Sequence, residues 1–123
     1  MYEVFKETSF SGAHHLRNYR GKCEEIHGHN WRVRVYVRAE ELDKAGMVVD
    51  FKALKGAMEE VADLLDHKDV NAVAPFDEIN PSAENMARFF FERVGGKVDG
   101  GRAAVSRVMV WETEGSCAIY SGD

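Results

Sequence analysis

The clearest pattern in the chain is a strict alternation of apolar and polar residues from Trp31 to Ala39. The apolar positions are Trp31, Val33, Val35 and Val37. A period of two places alternate side chains on opposite faces of a β-strand, so this segment is predicted to be a strand with one face in the core. A looser alternation from Tyr2 to about Ala13 predicts an earlier strand.

Two later segments repeat their apolar residues at steps of three and four, which is typical of the core-facing stripe of a helix. The first follows Asp50, a predicted N-cap, and ends near Asp66-His67-Lys68-Asp69. The second opens at Pro81, with Asn80 or Ser82 as its cap, and stops at Gly95-Gly96. The predicted stripe of the first helix is Phe51, Leu54, Ala57, Met58, Val61, Leu64 and Leu65. That of the second is Ala83, Met86, Ala87, Phe90 and Val94.

Two further strands are predicted near the C-terminus, from about Ala104 to Thr113 and from Ser116 to Tyr120. The element order is therefore β-β-α-α-β-β, an α+β fold in which two helices cover one face of an antiparallel sheet. The outer strands of such a sheet keep unpaired backbone groups, and we expect assembly into a larger barrel to close them.

Composition narrows the classes of partner. The 123 residues carry a net charge of −5 and are predicted to form one domain, residues 1–123. Charges of both signs are spread along the chain, which argues against nucleic acid or an anionic membrane as the main partner. There is no apolar run of transmembrane length and no signal-peptide order at the N-terminus. Nothing about Cys23 and Cys117 indicates an oxidising compartment, so we expect a reduced cytoplasmic protein with an inert Cys117.

Candidate metal chemistry is concentrated in the segment Cys23–His29, which holds one thiol, two carboxylates and two imidazoles. If His27 and His29 begin the strand that continues at Trp31, their rings share one face of it and are partly shielded from water. Imidazole nitrogens bind borderline-soft ions such as zinc, and His14 is the obvious third ligand. Three protein ligands leave one coordination position open, as in catalytic zinc sites. The alternative is that His-Gly-His is only a polar turn.

Three other features each leave two interpretations open. Asp66 and His67 are either a helix end stabilised by the helix dipole or a general acid/base pair. Glu112 continues a row of valines, and a carboxylate on an apolar face needs an ion-pair partner or a ligand with donor groups. The cations of one loop are either solvated or meet an anionic substrate. These loop cations are Arg17, Arg20 and Lys22.

Six short motifs occur in one order along nearly the whole chain. They are Phe10-Ser11-Gly12-Ala13-His14, Cys23-x-x-x-His27-Gly28-His29, Val49-Asp50-Phe51, Leu65-Asp66-His67, Asn80-Pro81-Ser82-Ala83-Glu84-Asn85 and Trp111-Glu112-Thr113. Each motif is weak by itself, but the ordered set resembles the 6-pyruvoyl-tetrahydropterin synthase family. The resemblance implies the tunnelling fold, in which β-β-α-α subunits close into a barrel with active sites between subunits. It also implies a homohexamer of two stacked trimers.

The same resemblance implies roles by matching position. The implied zinc ligands are His14, His27 and His29. The implied catalytic residues are Cys23, Asp66, His67 and Glu112, with Glu24 as an alternative acid or base. The implied substrate contacts are Ser82 and Glu112. Of these, Glu112 would hold the guanidine-like edge of a pterin.

Spacing within the second motif indicates a branch of that family. Three residues between Cys23 and the His-Gly-His resemble the bacterial branch that makes 6-carboxy-5,6,7,8-tetrahydropterin for queuosine and other 7-deazapurines. The implied reaction is a zinc-dependent conversion of 7,8-dihydroneopterin triphosphate that releases triphosphate and acetaldehyde. Glu24 also matches a branch in which glutamate replaces the cysteine and the product is 6-hydroxymethyl-dihydropterin, so a dual or folate-branch activity is an alternative. The remaining alternatives are pyruvoyl-type or cyclohydrolase chemistry, and a non-catalytic zinc- or pterin-binding protein.

Overall fold

The computed structural model describes residues 1–18 and 25–122, and in those ranges it contains five strands and two α-helices. The predicted order of four long strands and two helices is confirmed. The short third strand and a 3-10 helix were not predicted, because two or three residues carry no detectable periodicity. Neither of the two described helices is long and apolar enough to cross a membrane. In chain order the elements are β1 (Tyr2–His14), β2 (His27–Ala39), α1 (Phe51–Asp63), β3 (Lys68–Asp69), the 3-10 helix (Val70–Ala72), α2 (Ala83–Val98), β4 (Ala103–Thr113) and β5 (Ser116–Ser121).

The strands form one sheet in the order β3-β1-β2-β4-β5. Every neighbouring pair is antiparallel except β1 and β3, which run parallel at Gly12 and Ala13. The predicted antiparallel pairing of the four long strands is therefore confirmed, and the chain that leaves α1 adds an unpredicted parallel pair of two residues alongside β1. The α+β class is confirmed, since α1 packs on β1 and α2 packs on β4 and β5.

The register of β1 and β2 decides which side chains meet at the end of the sheet. Phe10 pairs with Trp31, and His14 pairs with His27. Because successive side chains alternate between faces, Phe10, Gly12 and His14 all lie on the core side and are buried. The strand predicted from Trp31 extends back to His27, so both histidines of the His-Gly-His motif belong to β2.

The core lies between the sheet and the helices. On β2 the four alternating apolar side chains are fully buried, as the sequence pattern predicts. Burial of each such side chain contributes about 1.5–3 kcal/mol, so the core layer holds the strand ends that carry the polar residues described below. The largest apolar side chains with no exposure are Trp31, Leu54, Leu65, Met58, Phe76, Met86 and Phe90.

Two residues of the predicted α1 stripe lie outside the core. Phe51 is 47% exposed and Leu64 is 39% exposed. Phe51 is the first residue of α1 and Leu64 is its C-cap, so both flank the part of the helix that covers the sheet. The helix also ends at Asp63, earlier than the predicted end near Asp66. The predictions for these positions are wrong because periodicity does not report where a helix leaves its sheet.

The second helix continues through the glycines that were predicted to stop it. α2 ends at Val98, and the backbone N–H of Asp99 donates to the carbonyl of Gly95 over 2.9 Å. Glycine disfavours a helix by about 1 kcal/mol relative to alanine. Val94 is fully buried and Val98 packs against the core, which offsets that cost. Tertiary packing therefore overrides the local stop signal.

The two residues predicted as alternative N-caps of α2, Ser82 and Asn80, make different hydrogen bonds. Ser82 is the N-cap, and its hydroxyl oxygen accepts a hydrogen bond from the N–H of Asn85 over 3.1 Å. The Asn80 side chain instead accepts from the backbone N–H of Arg17 over 2.8 Å and donates to its carbonyl over 2.9 Å. Asn80 therefore fastens the end of β1 to the segment before α2.

Candidate metal centre

Four polar side chains converge where β1 ends, β2 begins and β4 nears its end. We call this set, His14, His27, His29 and Glu112, the histidine cluster. Their ligating atoms all lie within 4.8 Å of one another. His14 and His27 are cross-strand partners, and His29 follows on the same face of β2. The structure therefore brings together the three histidines predicted as metal ligands and adds Glu112 to them.

The distances within the histidine cluster are short. Glu112 Oε1 lies 2.9 Å from His14 Nε2, 3.1 Å from His29 Nε2 and 4.0 Å from His27 Nε2. The Nε2 atoms of His14 and His27 are 3.1 Å apart. The three imidazole rings pack edge to face, with centroids 4.6 to 5.2 Å apart. One small volume is therefore bounded by three ring nitrogens and a carboxylate oxygen.

Backbone carbonyls decide which ring nitrogens carry protons. His14 Nδ1 is 2.8 Å from the carbonyl oxygen of Pro81, and His27 Nδ1 is 2.8 Å from that of Glu25. A carbonyl oxygen only accepts hydrogen bonds, so Nδ1 carries a proton in both rings, and the singly protonated form of each ring presents a lone pair at Nε2. These lone pairs face each other and the carboxylate of Glu112 without a donor between them.

The third ring adds another nitrogen to this volume. His29 Nε2 is buried 3.1 Å from Glu112 Oε1 and has no assigned hydrogen-bond partner in the described part of the chain. Acceptor atoms this close repel each other unless a cation or a proton lies among them. Imidazole nitrogens and a carboxylate oxygen are the ligands of divalent metals such as zinc. The donor set therefore fits a metal ion.

Burial keeps the imidazoles in the form that binds metal. The pKa of His14 is lowered chiefly by its burial, and the pKa of His29 is lowered for the same reason. A pKa below the usual value of about 6.5 leaves both rings neutral at pH 7. Trp31 supplies much of this burial, since its ring lies edge-on to His14 and His29 at centroid distances of 4.8 and 5.3 Å. Metal binding at neutral pH then requires no proton to leave these rings.

Asp66 and His67 form a second polar group, which we call the Asp66–His67 corner. Asp66 Oδ2 is 3.0 Å from His67 Nδ1, and Asp66 Oδ1 accepts from the backbone N–H of Ser11 over 2.9 Å. The backbone N–H of His67 donates to the carbonyl of Ser11. The Ser11 N–H is the main cause of a lowered pKa at Asp66, and the His67 side chain contributes next. The carboxylate is thereby held ionised beside the ring.

The corner is not part of the histidine cluster. The His67 side chain is 81% exposed, and in residues 1–18 and 25–122 its only ion-pair partner is Asp66. Its backbone φ of 57° lies in the left-handed region, which non-glycine residues rarely adopt. An open depression of about 420 Å³ has both His29 and His67 in its lining, together with Ser11 and Asn30. The corner therefore lies beside the cluster without contacting it.

A second cavity adjoins Glu112 at the start of α2. Its volume is about 310 Å³, and its lining includes Glu84 and Glu112 with residues 116–119 of β5. Sequence reasoning missed Glu84, although it lies in the motif that begins α2 and is the acidic residue of that helix's first turn. Two carboxylates at one cavity can accept two N–H donors from a planar ligand. Ser82 is close in sequence, but its hydroxyl is engaged in capping the helix.

The loop before β2 is described only in part. The guanidinium of Arg17 donates to the carbonyls of Phe76, Ile79 and Asn71 over 2.8, 3.1 and 3.4 Å. Arg17 therefore holds the segment before α2 in place, which favours a structural role over contact with an anionic substrate. The remaining predicted residues of this loop lie outside the described ranges. They are Arg20, Lys22, Cys23 and Glu24.

Comparisons with known proteins agree with this geometry. A sequence profile of the 6-pyruvoyl tetrahydropterin synthase family matches residues 3–123. The 6-carboxy-5,6,7,8-tetrahydropterin synthase of Synechocystis sp. is 35% identical, over 98% of this chain and 93% of its own length. The dihydroneopterin monophosphate aldolase of Pyrococcus furiosus is 32% identical, over 89% of this chain and 88% of its own. The solved structure of 6-pyruvoyl tetrahydropterin synthase from Caenorhabditis elegans superimposes with a TM-score of 0.87, at 28% identity over 99% of this chain and 96% of the other.

Proposed function

The chain belongs to the 6-pyruvoyl tetrahydropterin synthase family, and from this membership we propose that it is a zinc-dependent lyase of the carboxytetrahydropterin type. The proposed substrate is 7,8-dihydroneopterin triphosphate. With one water molecule consumed, the proposed products are 6-carboxy-5,6,7,8-tetrahydropterin, acetaldehyde and triphosphate. The similarity to the Synechocystis enzyme supports this branch, and we place the reaction in cytoplasmic synthesis of queuosine and other 7-deazapurines.

The observation that carries the proposal is the convergence of three imidazoles and one carboxylate within 4.8 Å, with the Nδ1 atoms of His14 and His27 held by backbone carbonyls so that Nε2 faces the cluster. His14, His27 and His29 are proposed to hold one zinc ion there. Bound zinc would polarise the side-chain hydroxyls of the pterin substrate and lower their pKa. Zinc is favoured over harder ions because most of the donors are imidazole nitrogens.

The other predicted residues are proposed to handle the substrate and its protons. Glu112, with Glu84 across the same cavity, would accept hydrogen bonds from the guanidine-like edge of the pterin. Cys23 would act as a thiolate that moves a proton at the carbon next to the ring. Asp66 would hold His67 in one tautomer as an acid/base partner, and their 3.0 Å contact supports this role.

The separation of the corner from the cluster supports an active site shared between chains. His67 is exposed and Asp66 is anchored to β1, so the pair faces outward from its own chain. The outer strands β3 and β5 present sheet edges that a neighbouring subunit can pair. We propose a homo-oligomeric barrel, a hexamer of two stacked trimers, in which one chain's corner completes the site of the next.

Product identification tests the proposed reaction. Zinc-loaded protein is incubated with 7,8-dihydroneopterin triphosphate, and both the pterin and any aldehyde are identified by chromatography and mass spectrometry. We expect carboxytetrahydropterin and acetaldehyde in equal amounts, with His27→Ala as the inactive control. Triphosphate release without an aldehyde would indicate pyruvoyl chemistry instead. Pterin binding without turnover would support a non-catalytic binding protein.

A second candidate activity is aldol cleavage to 6-hydroxymethyl-7,8-dihydropterin. Glu24 next to Cys23 favours it, as does the similarity to the Pyrococcus aldolase. A carboxylate with an unperturbed pKa of about 4.3 is a weak base unless the bound pterin desolvates it, whereas a thiolate is a competent base near neutrality. Cys23→Ala should therefore abolish the carboxy product and spare some cleavage, and Glu24→Ala should do the reverse. An unchanged product ratio in Glu24→Ala would remove this candidate.

A further inference from the structure

Glu112 lies at the boundary between the histidine cluster and the cavity at the start of α2. One of its carboxylate oxygens contacts ring nitrogens of the cluster, and the residue also lines the cavity with Glu84. In residues 1–18 and 25–122 the cluster histidines are the only basic side chains within ion-pair distance of this carboxylate. The Glu112 carboxylate can therefore interact either with the histidine cluster or with a ligand in the cavity.

The distances within the cluster are those of ligands around one ion. Ligands at about 2.0–2.1 Å from a tetrahedral zinc ion are separated from one another by about 3.3 Å. Glu112 Oε1 is 2.9 Å from His14 Nε2 and 3.1 Å from His29 Nε2, and the Nε2 atoms of His14 and His27 are also 3.1 Å apart. Only the distance from Glu112 to His27 is longer, at 4.0 Å.

Repulsion between the acceptor atoms of Glu112, His14 and His27 is a second indication that a cation binds among them. The Nδ1–H groups of His14 and His27 are committed to backbone carbonyls, so their Nε2 lone pairs point at the carboxylate. The interaction between a carboxylate oxygen and nitrogen lone pairs at this distance is repulsive unless both bind the same cation. The position of Glu112 therefore has a physical reason once the ion is bound to all four residues.

We propose that Glu112 is the fourth protein ligand of the metal while no pterin is bound, and that pterin binding draws this carboxylate away. The proposal rests on the proposed function and deepens it. The resting centre would have three imidazoles and one carboxylate, the closed arrangement of metal sites that do not react. Transfer of Glu112 to the N–H groups of the pterin would open one coordination position for a substrate oxygen. The metal would thus be exposed only when a substrate is present.

Reciprocity gives the proposal a measurable consequence. If the pterin and the metal compete for Glu112, a pterin without a side chain removes one ligand and supplies none in return. By linkage, such a pterin must weaken metal binding by the same factor by which the metal weakens pterin binding. A three-ligand site in which Glu112 never touched the metal would show no such antagonism.

Cobalt(II) in place of zinc reports the coordination directly, because its visible absorption depends on the number and type of its ligands. We expect the wild-type protein with cobalt alone to have the intense bands of a four-coordinate site. Glu112→Gln should change this spectrum and lower metal affinity at least about tenfold, and Glu112→Ala should do the same. Addition of 6-unsubstituted pterin to the wild-type protein should change the spectrum in the same direction as Glu112→Gln.

Glu84→Gln is the matched control, since Glu84 lines the same cavity but does not belong to the histidine cluster. Its cobalt spectrum should equal that of the wild type, while its affinity for pterin falls. Cobalt binding with a spectrum that neither Glu112→Gln nor pterin changes would overturn this inference and leave the proposed function standing. Failure of the wild-type protein to bind cobalt or zinc would instead overturn the proposed metal centre itself.

Discussion

The histidine cluster and the Asp66–His67 corner use the same functional groups in opposite surroundings. In the cluster, the His14 side chain is 1% exposed, and one ring nitrogen is fixed by a backbone carbonyl. At the corner, the His67 side chain is 81% exposed, and its only ion-pair partner among the described residues is Asp66, its neighbour in sequence. A single chain thus surrounds one small volume with potential metal ligands, whereas its Asp66–His67 pair lies at the surface. We therefore expect the acid/base half of the proposed chemistry to depend on a second chain.

The largest expected effect is loss of metal when the cluster is broken. Purified protein should hold about one zinc ion per chain, and His27→Ala should reduce this to nearly none because a ligand is removed. The fold should persist, since the apolar core residues are untouched. His67→Ala removes the same group from the corner and should retain the full metal content. Metal analysis of both variants checks the prediction, and full retention in His27→Ala would show that the ligand set is wrong.

Mixed assemblies test whether the two regions act across a subunit boundary. His27→Ala and His67→Ala chains should each be inactive alone. When equal amounts are unfolded and reassembled together, about a quarter of shared sites receive an intact cluster from one chain and an intact corner from its neighbour. We therefore expect about a quarter of wild-type activity to return. Activity that stays at the sum of the separate variants would mean that both halves act within one chain.

A smaller effect, on stability, is expected at Trp31, whose ring packs edge-on against His14 and His29 of the cluster. Its indole N–H donates to the carbonyl of Gly12 over 3.2 Å. Trp31→Phe loses this bond and leaves a small cavity in the core, so the free energy of unfolding should fall by at least about 1 kcal/mol. Urea denaturation of the metal-free protein measures it. Trp111→Phe, at a half-buried position beside Arg32, is the control and should change stability by less than about 0.5 kcal/mol. Equal losses in both variants would contradict the prediction.

The smallest effect concerns acid stability at the corner. The lowered pKa of Asp66 means that the folded protein binds fewer protons than the unfolded chain. This group therefore stabilises the fold above the unfolded pKa of about 3.9, and the contribution is lost as pH falls through the lower folded value. Asp66→Asn should narrow the difference in melting temperature between about pH 6 and pH 3. Asp63→Asn, at the exposed end of α1, is the control and should keep the wild-type difference. Equal differences in both variants would count against the Ser11 contact.

The sequence predicted the long elements and the histidines because both depend on local periodicity. Alternation from Trp31, extended backwards, placed His27 and His29 on the core side of β2, where the structure has them. The same logic put Glu112 on an apolar face and required a partner for it. The identity of that partner could not be predicted from the sequence, because it depends on the registers of β1, β2 and β4 together. The contact between Glu112 and His14 joins opposite ends of the chain.

The local structure around Asp66 and His67 was harder to predict from the sequence. The helix was predicted to reach them, but α1 ends at Asp63 and β3 holds the following residues against β1. A two-residue strand and one left-handed residue, His67, have no periodic signal. Sequence reasoning therefore named both residues without their geometry, and the choice between a structural and a catalytic role remains a prediction that the mixed assemblies decide.

The strand β1 sets the distance between two polar groups, and this limits where residues can be inserted or deleted. Ser11 anchors the Asp66–His67 corner, and His14 enters the histidine cluster a few residues later on the same strand. One residue inserted between them would turn His14 to the opposite face of the sheet. Two inserted residues would restore the face but move the ligand about 6.6 Å along the strand. We therefore expect insertions and deletions to be tolerated in the loops, such as the one between β2 and α1, because the strand fixes the spacing between the histidine cluster and the Asp66–His67 corner.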